Sequence, residues 1–121
     1  MSIAKEDRVL KRLNRDADSV KAWVAYDHTA PDLLKGYNVE TVTDNSIGDL
    51  TVNFSQPMQD ANYTVQGCLG TINDTSSVMF GLRYASPNLY KLTTSCRILT
   101  MYNQSGAVLA DFYKCDITFV R

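Results

Sequence analysis

Residues 21–63 read KAWVAYDHTAPDLLKGYNVETVTDNSIGDLTVNFSQPMQDANY, and the centre of this stretch spells a β-hairpin. Val39, Thr41 and Thr43 form a β-rich approach, residues 44–49 (DNSIGD) supply turn chemistry, and Leu50, Val52 and Phe54 then alternate with Thr51, Asn53 and Ser55. Alternation with period two puts the apolar set on one face, as a half-buried strand requires. Working outward, the same pattern predicts strands near 22–27, 37–43, 49–55, 62–69, 77–85, 91–102 and 112–120. Turn residues connect them at 70–76, 86–88 and 103–106. Leu92, Thr94, Cys96, Ile98 and Thr100 share one face, Tyr113, Cys115, Ile117 and Phe119 another, and Trp23 and Phe54 are assigned to the core. Seven to eight short strands with regular turn signals predict an all-β fold, an antiparallel β-sandwich, with a jelly roll among the arrangements that fit.

Residues 1–20 differ from the rest. Ile3, Leu10, Leu13, Ala17 and Val20 recur at spacings that fit heptad a and d positions, with Lys5, Glu6, Arg8, Lys11, Arg12 and Arg15 between them. The spacing predicts a short N-terminal α-helix, either packed on its own domain or zipped into a coiled coil. A seam this short cannot hold alone, because helix nucleation is costly. The division is therefore a leader over 1–20, serving oligomerisation or docking through Leu10, Leu13 and Arg12, and a sandwich over 21–121. Met79, Leu99, Met101, Phe112 and Val120 fall on strand faces that the register leaves wet. Apolar residues there predict either a thicker core or, as the preferred reading, a cyclic oligomer interface that includes Met79 and Met101.

The totals narrow the function classes. With 12 basic and 13 acidic residues in a chain of 121, the formal net charge is −1. Such a chain has no global field to draw it to nucleic acid or an anionic membrane. No apolar run approaches the length of a membrane-spanning helix. Charges at Lys5, Glu6, Asp7 and Arg8 interrupt the place where a signal peptide would need its apolar centre. The basic leader has no aromatic platform beside it, so a solvated face or a dock for an acidic partner fits better than nucleic-acid binding.

Catalytic and metal signatures are weak. The one histidine, His28, follows Asp27, but neighbours in an extended segment point to opposite faces, so Asp27 does not orient the imidazole. An exposed loop histidine is expected. No nucleophile elbow, HExxH or phosphate-binding glycine loop is present. Asp44, Asn45 and Asp49 lack the calcium-loop pattern and read as turn formers. Cys68, Cys96 and Cys115 are widely spaced and read as core thiols, with one disulfide as the alternative and no zinc cluster. No cofactor and no enzyme activity are expected. Four Asn-x-Ser/Thr triplets, at Asn53, Asn62, Asn73 and Asn103, mark a polar β protein whose tyrosine-flecked loops suit sugar binding. His28, Asn73, Asp74 and Tyr90 are the candidate recognition residues on loops.

Taken in order, Ala22-Trp23-Val24, Tyr37-Asn38-Val39, Thr43-Asp44-Asn45, Gly48-Asp49, Thr51-Val52-Asn53-Phe54, Met58 and Asp60-Ala61-Asn62-Tyr63 resemble a small β-domain. That domain recurs in tail (fibre) virion proteins of bacteriophages and prophages. The resemblance continues through Cys96-Arg97-Ile98 and Tyr102-Asn103-Gln104-Ser105-Gly106 to the closing strand, so it spans about residues 21–120. Where family members carry an Asn-Gly turn after the tryptophan strand, this chain has Asp27-His28. The resemblance implies a non-enzymatic virion structural protein assembled in the host cytoplasm. It would be a homotrimer, contacting other virion proteins and a host surface glycan or protein through loops opposite the helix. About twenty residues precede the domain where a long shaft is usual, so a distal tip, a tail adaptor and a capsid decoration protein are all implied roles. A carbohydrate-binding accessory domain is the third reading.

Overall fold

The computed structural model describes residues 19–70, 78–81, 90–103 and 106–121. Among the described residues nine strands follow in chain order: β1 Val20–Asp27, β2 Asp32–Tyr37, β3 Val39–Ser46, β4 Asp49–Phe54, β5 Thr64–Gly70, β6 Val78–Gly81, β7 Ser95–Asn103, β8 Ala107–Leu109 and β9 Lys114–Val120. One antiparallel sheet runs β2-β1-β9-β5, and the other runs β3-β4-β7-β6 with β8 pairing β7. Ala22, Val24 and Tyr26 from β1 and Cys115, Ile117 and Phe119 from β9 share one core with Leu50, Val52 and Phe54 from β4 and Cys96 and Ile98 from β7. The fold is thus all-β, with two antiparallel sheets facing each other across one core, as in a β-sandwich. The expected N-terminal helix, with Leu10, Leu13 and Arg12, lies outside the described residues.

The central hairpin forms as its sequence dictates. Thr43 pairs with Thr51, Val42 with Val52 and Thr41 with Asn53, and Leu50, Val52 and Phe54 face the core. Its turn is the two residues Ile47 and Gly48, with Gly48 at φ 65°. The turn is gripped from outside: the Thr100 amide donates to the Gly48 carbonyl at 2.9 Å, and the Gly48 amide donates to Asp111 Oδ1 at 2.8 Å. A Cβ at position 48 would sit 2.6 Å from the Thr100 oxygen and 2.7 Å from the Ala110 nitrogen, so only glycine fits.

The expected strand at 37–43 breaks at Asn38: Tyr37 ends β2, which the sequence did not announce, and 39–43 belong to β3. Asn38 adopts φ 54°, the left-handed region that a short polar side chain tolerates, and turns the chain from β2 in one sheet to β3 in the other. Its side chain holds that corner. Nδ2 donates to the carbonyls of Lys21 and Gln56, each at 3.1 Å, and Oδ1 accepts the Gln56 amide at 2.7 Å. β2 itself has no alternating signature, because every one of its residues is exposed. It forms because an Asx turn folds it back: Asp27 Oδ1 accepts from the Thr29 amide and hydroxyl and from the Ala30 amide.

Two burial expectations need correction. Leu99, Met101 and Phe112 are interior, not wet: Leu99 and Met101 pack with Tyr90 in a second small cluster, and Phe112 joins the main core. The chain folds its own Tyr90 over the outer face of β7, so these residues form the thicker core and not an oligomer surface. Met79 lies in β6, whose backbone alone is described. Among the cysteines, Cys96 and Cys115 are core thiols, pushed up to about 12 chiefly by burial, whereas Cys68 is exposed on β5; all three are free.

Gly48→Ala combines a left-handed backbone with a collision against main-chain atoms. It is expected to destabilise the fold by about 3 kcal/mol, read as a lower urea midpoint at unchanged slope. An unchanged midpoint would show that the turn is not held as described.

Candidate functional site

Inward and outward residues on β1 are set by parity. Ala22, Val24, Tyr26 and His28 are buried, so Lys21, Trp23, Ala25 and Asp27 point outward. Trp23 is therefore half-buried on the outer face and not a core residue. Directly opposite it on β2 stands Tyr37, 57% exposed; on its other side Trp23 faces Thr118 of β9, which in turn faces Gln66 of β5. Residues directly opposed in an antiparallel pair share a face with Cβ atoms about 5 Å apart. Tyr37, Trp23, Thr118 and Gln66 consequently form one row across four strands, aromatic at one end and polar at the other.

Tyr37 also lines an open cleft of about 800 Å³ at the end of the sandwich where Ser19 enters, together with Gln56, Pro57, Gln59 and Arg121. The size falls within the usual range for small-molecule sites. Its floor is the corner held by Asn38. On its wall, Arg121 donates Nε to Asp60 Oδ1 at 2.9 Å and Nη2 to Asp60 Oδ2 at 2.7 Å, a two-pronged pair that holds the Asp60 carboxyl below the usual range. Gln56 and Gln59 are exposed.

Of the sequence-predicted recognition residues, the two that are described, His28 and Tyr90, are both buried. His28 is 1% exposed, because the inward face of β1 continues one residue into the turn. Its Nε2 lies 2.8 Å from Asp44 Oδ1, while Nδ1 lies 3.1 Å from Asp111 Oδ1 but outside hydrogen-bond geometry. Asp27 instead bonds Thr29 and Ala30, and the ring is oriented by Asp44, distant in sequence. The His28 amide also donates to the Phe112 carbonyl at 3.1 Å. His28 is thus a bolt joining β1, β3 and the approach to β9, out of reach of a ligand. Tyr90 is 4% exposed, with the Arg97 guanidinium 5.5 Å from its ring centroid. Neither is exposed: His28 continues the inward parity of β1, and Tyr90 covers the face of β7 that the sequence register leaves wet. Asn73 and Asp74 lie outside the described residues. Met101, expected at an interface, is 8% exposed within the chain.

Asp49 of β4 forms a second buried anchor. Its Oδ1 accepts Arg97 Nε at 2.8 Å, its Oδ2 accepts Arg97 Nη2, and Asn45 Nδ2 donates to it at 3.1 Å. The Arg97 bonds hold the Asp49 carboxyl below its ordinary value against the opposing effect of burial. Among the described residues no group of three His, Cys, Asp or Glu side chains is placed to hold a metal ion, and no helix is long and apolar enough to cross a membrane.

The Trp23–Tyr37 row was missed although a signal for it exists. Lys21 and Asp27 share the parity of Trp23, and two charges on one face of a strand mark it as the wet one.

Because folding lowers the Asp49 pKa, its contribution is present above the unfolded carboxylate value near 4 and is lost as pH falls through the lower folded value. Asp49→Asn is expected to cost about 1–2 kcal/mol at pH 7, limited by solvent screening of the half-exposed Arg97, with the gap to the parent closing below pH ~4. Urea unfolding across pH 2–8 measures this; a gap that stays constant with pH would contradict the ion pair.

No known protein family, no curated protein and no solved structure matches this chain.

Proposed function

We propose that this chain is a non-enzymatic structural protein of a bacteriophage virion, a tail-fibre or host-recognition module that binds a cell-surface glycan or protein. The observation that carries the recognition part is the outward-facing Trp23–Tyr37 pair, Tyr37 exposed and Trp23 half-buried, set on paired strands and running into an open cleft. Tryptophan and tyrosine give large contact area at small entropic cost and dominate binding energy where they occur at interfaces. A sheet holds them without the ordering cost that a loop would add.

The virion assignment rests on the ordered resemblance of residues 21–120 to phage tail β-domains. Several of the shared residues have work in the scaffold: Asn38 turns the chain between sheets, Gly48 makes the hairpin turn, and Asp60 anchors Arg121. Recognition moves, however, from the loops opposite the leader to the side of the first sheet and the end where Ser19 enters. The homotrimer is proposed on the heptad-like spacing of the leader alone, since Leu99, Met101 and Phe112 are occupied inside the chain. A carbohydrate-binding accessory domain is the second reading, favoured by the same aromatic pair.

Electron microscopy of particles labelled with an antibody against this chain separates these roles. Label at the tail tip supports recognition, label over the head makes the chain a decoration protein, and absence of label from particles leaves the accessory-domain reading. On the recognition reading, Trp23→Ala and Tyr37→Ala each reduce adsorption to host cells about tenfold. Adsorption unchanged in both variants, with normal unfolding curves, would overturn the assigned face.

A further inference from the structure

We infer that the cleft beside Tyr37 binds an uncharged saccharide, with one sugar ring stacked on Tyr37 in the cleft and the next on Trp23. The inference rests on the recognition reading above and names its ligand class.

The chemistry of the lining selects the class. Asn38 spends its amide nitrogen on the carbonyls of Lys21 and Gln56 and its amide oxygen on the Gln56 nitrogen, so it builds the floor and offers little to a ligand. Arg121 directs its guanidinium fork at Asp60, which balances its charge and removes the planar grip that a carboxylate or phosphate would need. The exposed side chains of the lining are Val20, Tyr37, Gln56, Pro57 and Gln59, none of them charged, while Lys21 on the same lining is half-buried. An amide offers both donor and acceptor, matching a hydroxyl that both donates and accepts. A pyranose ring has an apolar face of C–H groups and a rim of hydroxyls; it fits an aromatic ring with amides at its edge better than an ion or a hydrocarbon does.

The row beyond the cleft extends the same pattern. From Tyr37 the surface continues over Trp23 to the hydroxyl of Thr118 and the amide of Gln66, again aromatic and then neutral polar. The ligand would therefore be an oligosaccharide lying across the strands, its end in the cleft. Asn38, tied to three backbone groups, fixes Tyr37 relative to Gln56 before binding, which lowers the ordering cost.

Trp23 is the sole tryptophan, so its emission reports on this site alone. The experiment probes the full chain on a printed array of neutral, sialylated and sulfated glycans and then titrates the best neutral oligosaccharide while following Trp23 emission. Saturable change is expected with a neutral ligand, weakened about tenfold by Tyr37→Ala and by Gln59→Ala but retained in Tyr37→Phe, which keeps the stacking face. Tighter binding of an anionic glycan than of its neutral counterpart would assign the site to charge and overturn the inference. Adsorption to host cells that needs Trp23 and Tyr37, with no neutral glycan bound, would also overturn it while leaving the recognition reading intact. Loss of adsorption dependence on both residues would instead remove the recognition reading.

Discussion

Phe119 is the contact on which the arrangement of this chain depends. Its ring meets Phe54 edge-on at 5.0 Å between centroids and Tyr63 at 6.1 Å, while Phe54 and Tyr63 meet at 5.8 Å and 88°. The trio joins β9 of one sheet to β4 of the other. Tyr63 then ties it to the entrance of β7, its hydroxyl donating to the Leu92 carbonyl at 2.8 Å with the Ser95 carbonyl at 3.1 Å. Each such ring pair adds about 1 kcal/mol beyond the area it buries. More consequential is parity. With Phe119 fixed inward, Thr118 must point out; with Ala22 and Val24 inward against it, Trp23 must point out too. The outward aromatic row is a geometric consequence of the inward one.

The opposite end is closed by polar contacts instead. Gly48 packs its backbone against Thr100 and Ala110, Asp111 accepts its amide, and the same carboxylate faces His28. Asp44 meets the other ring nitrogen of His28. Burying a polar ring costs free energy unless partners surround it; the Asp44 bond offsets part of that cost, and Asp111 lies beside the other nitrogen without a hydrogen bond. An end held this way offers no open chemistry from His28. The cleft end, with Gln56 and Gln59 exposed beside Tyr37, does.

Much of this fold was legible in the sequence because alternation is strong in β4 and β9, where Leu50, Val52 and Phe54 or Cys115, Ile117 and Phe119 stand against polar neighbours. Legibility failed where local pattern and tertiary position part. β2 carries no alternation, since both its faces are wet, and it exists only through its turn and its pairing with β1. β8 is three residues long, below the length at which a period can be read. Asn38 sits within an apparently continuous β run, and nothing in that run announces a left-handed residue. The site was less legible than the fold. His28 looked exposed because its carboxylates are 16 and 83 positions away in sequence, and Tyr90 because the face it covers belongs to a later strand. Trp23 is the reverse case: a large aromatic in a strand is usually core, and only the charges sharing its parity say otherwise.

The central claim is that recognition belongs to the outer face of the β2-β1-β9-β5 sheet and its cleft. The most direct test is amide chemical-shift mapping of the full chain during titration with surface polysaccharide from a cell to which it adsorbs. The account expects shifts concentrated at residues 20–24, 36–38, 56–59 and 118–121. Shifts concentrated instead at 28–31, 44–48 and 110–113 would place recognition at the His28 end and contradict it.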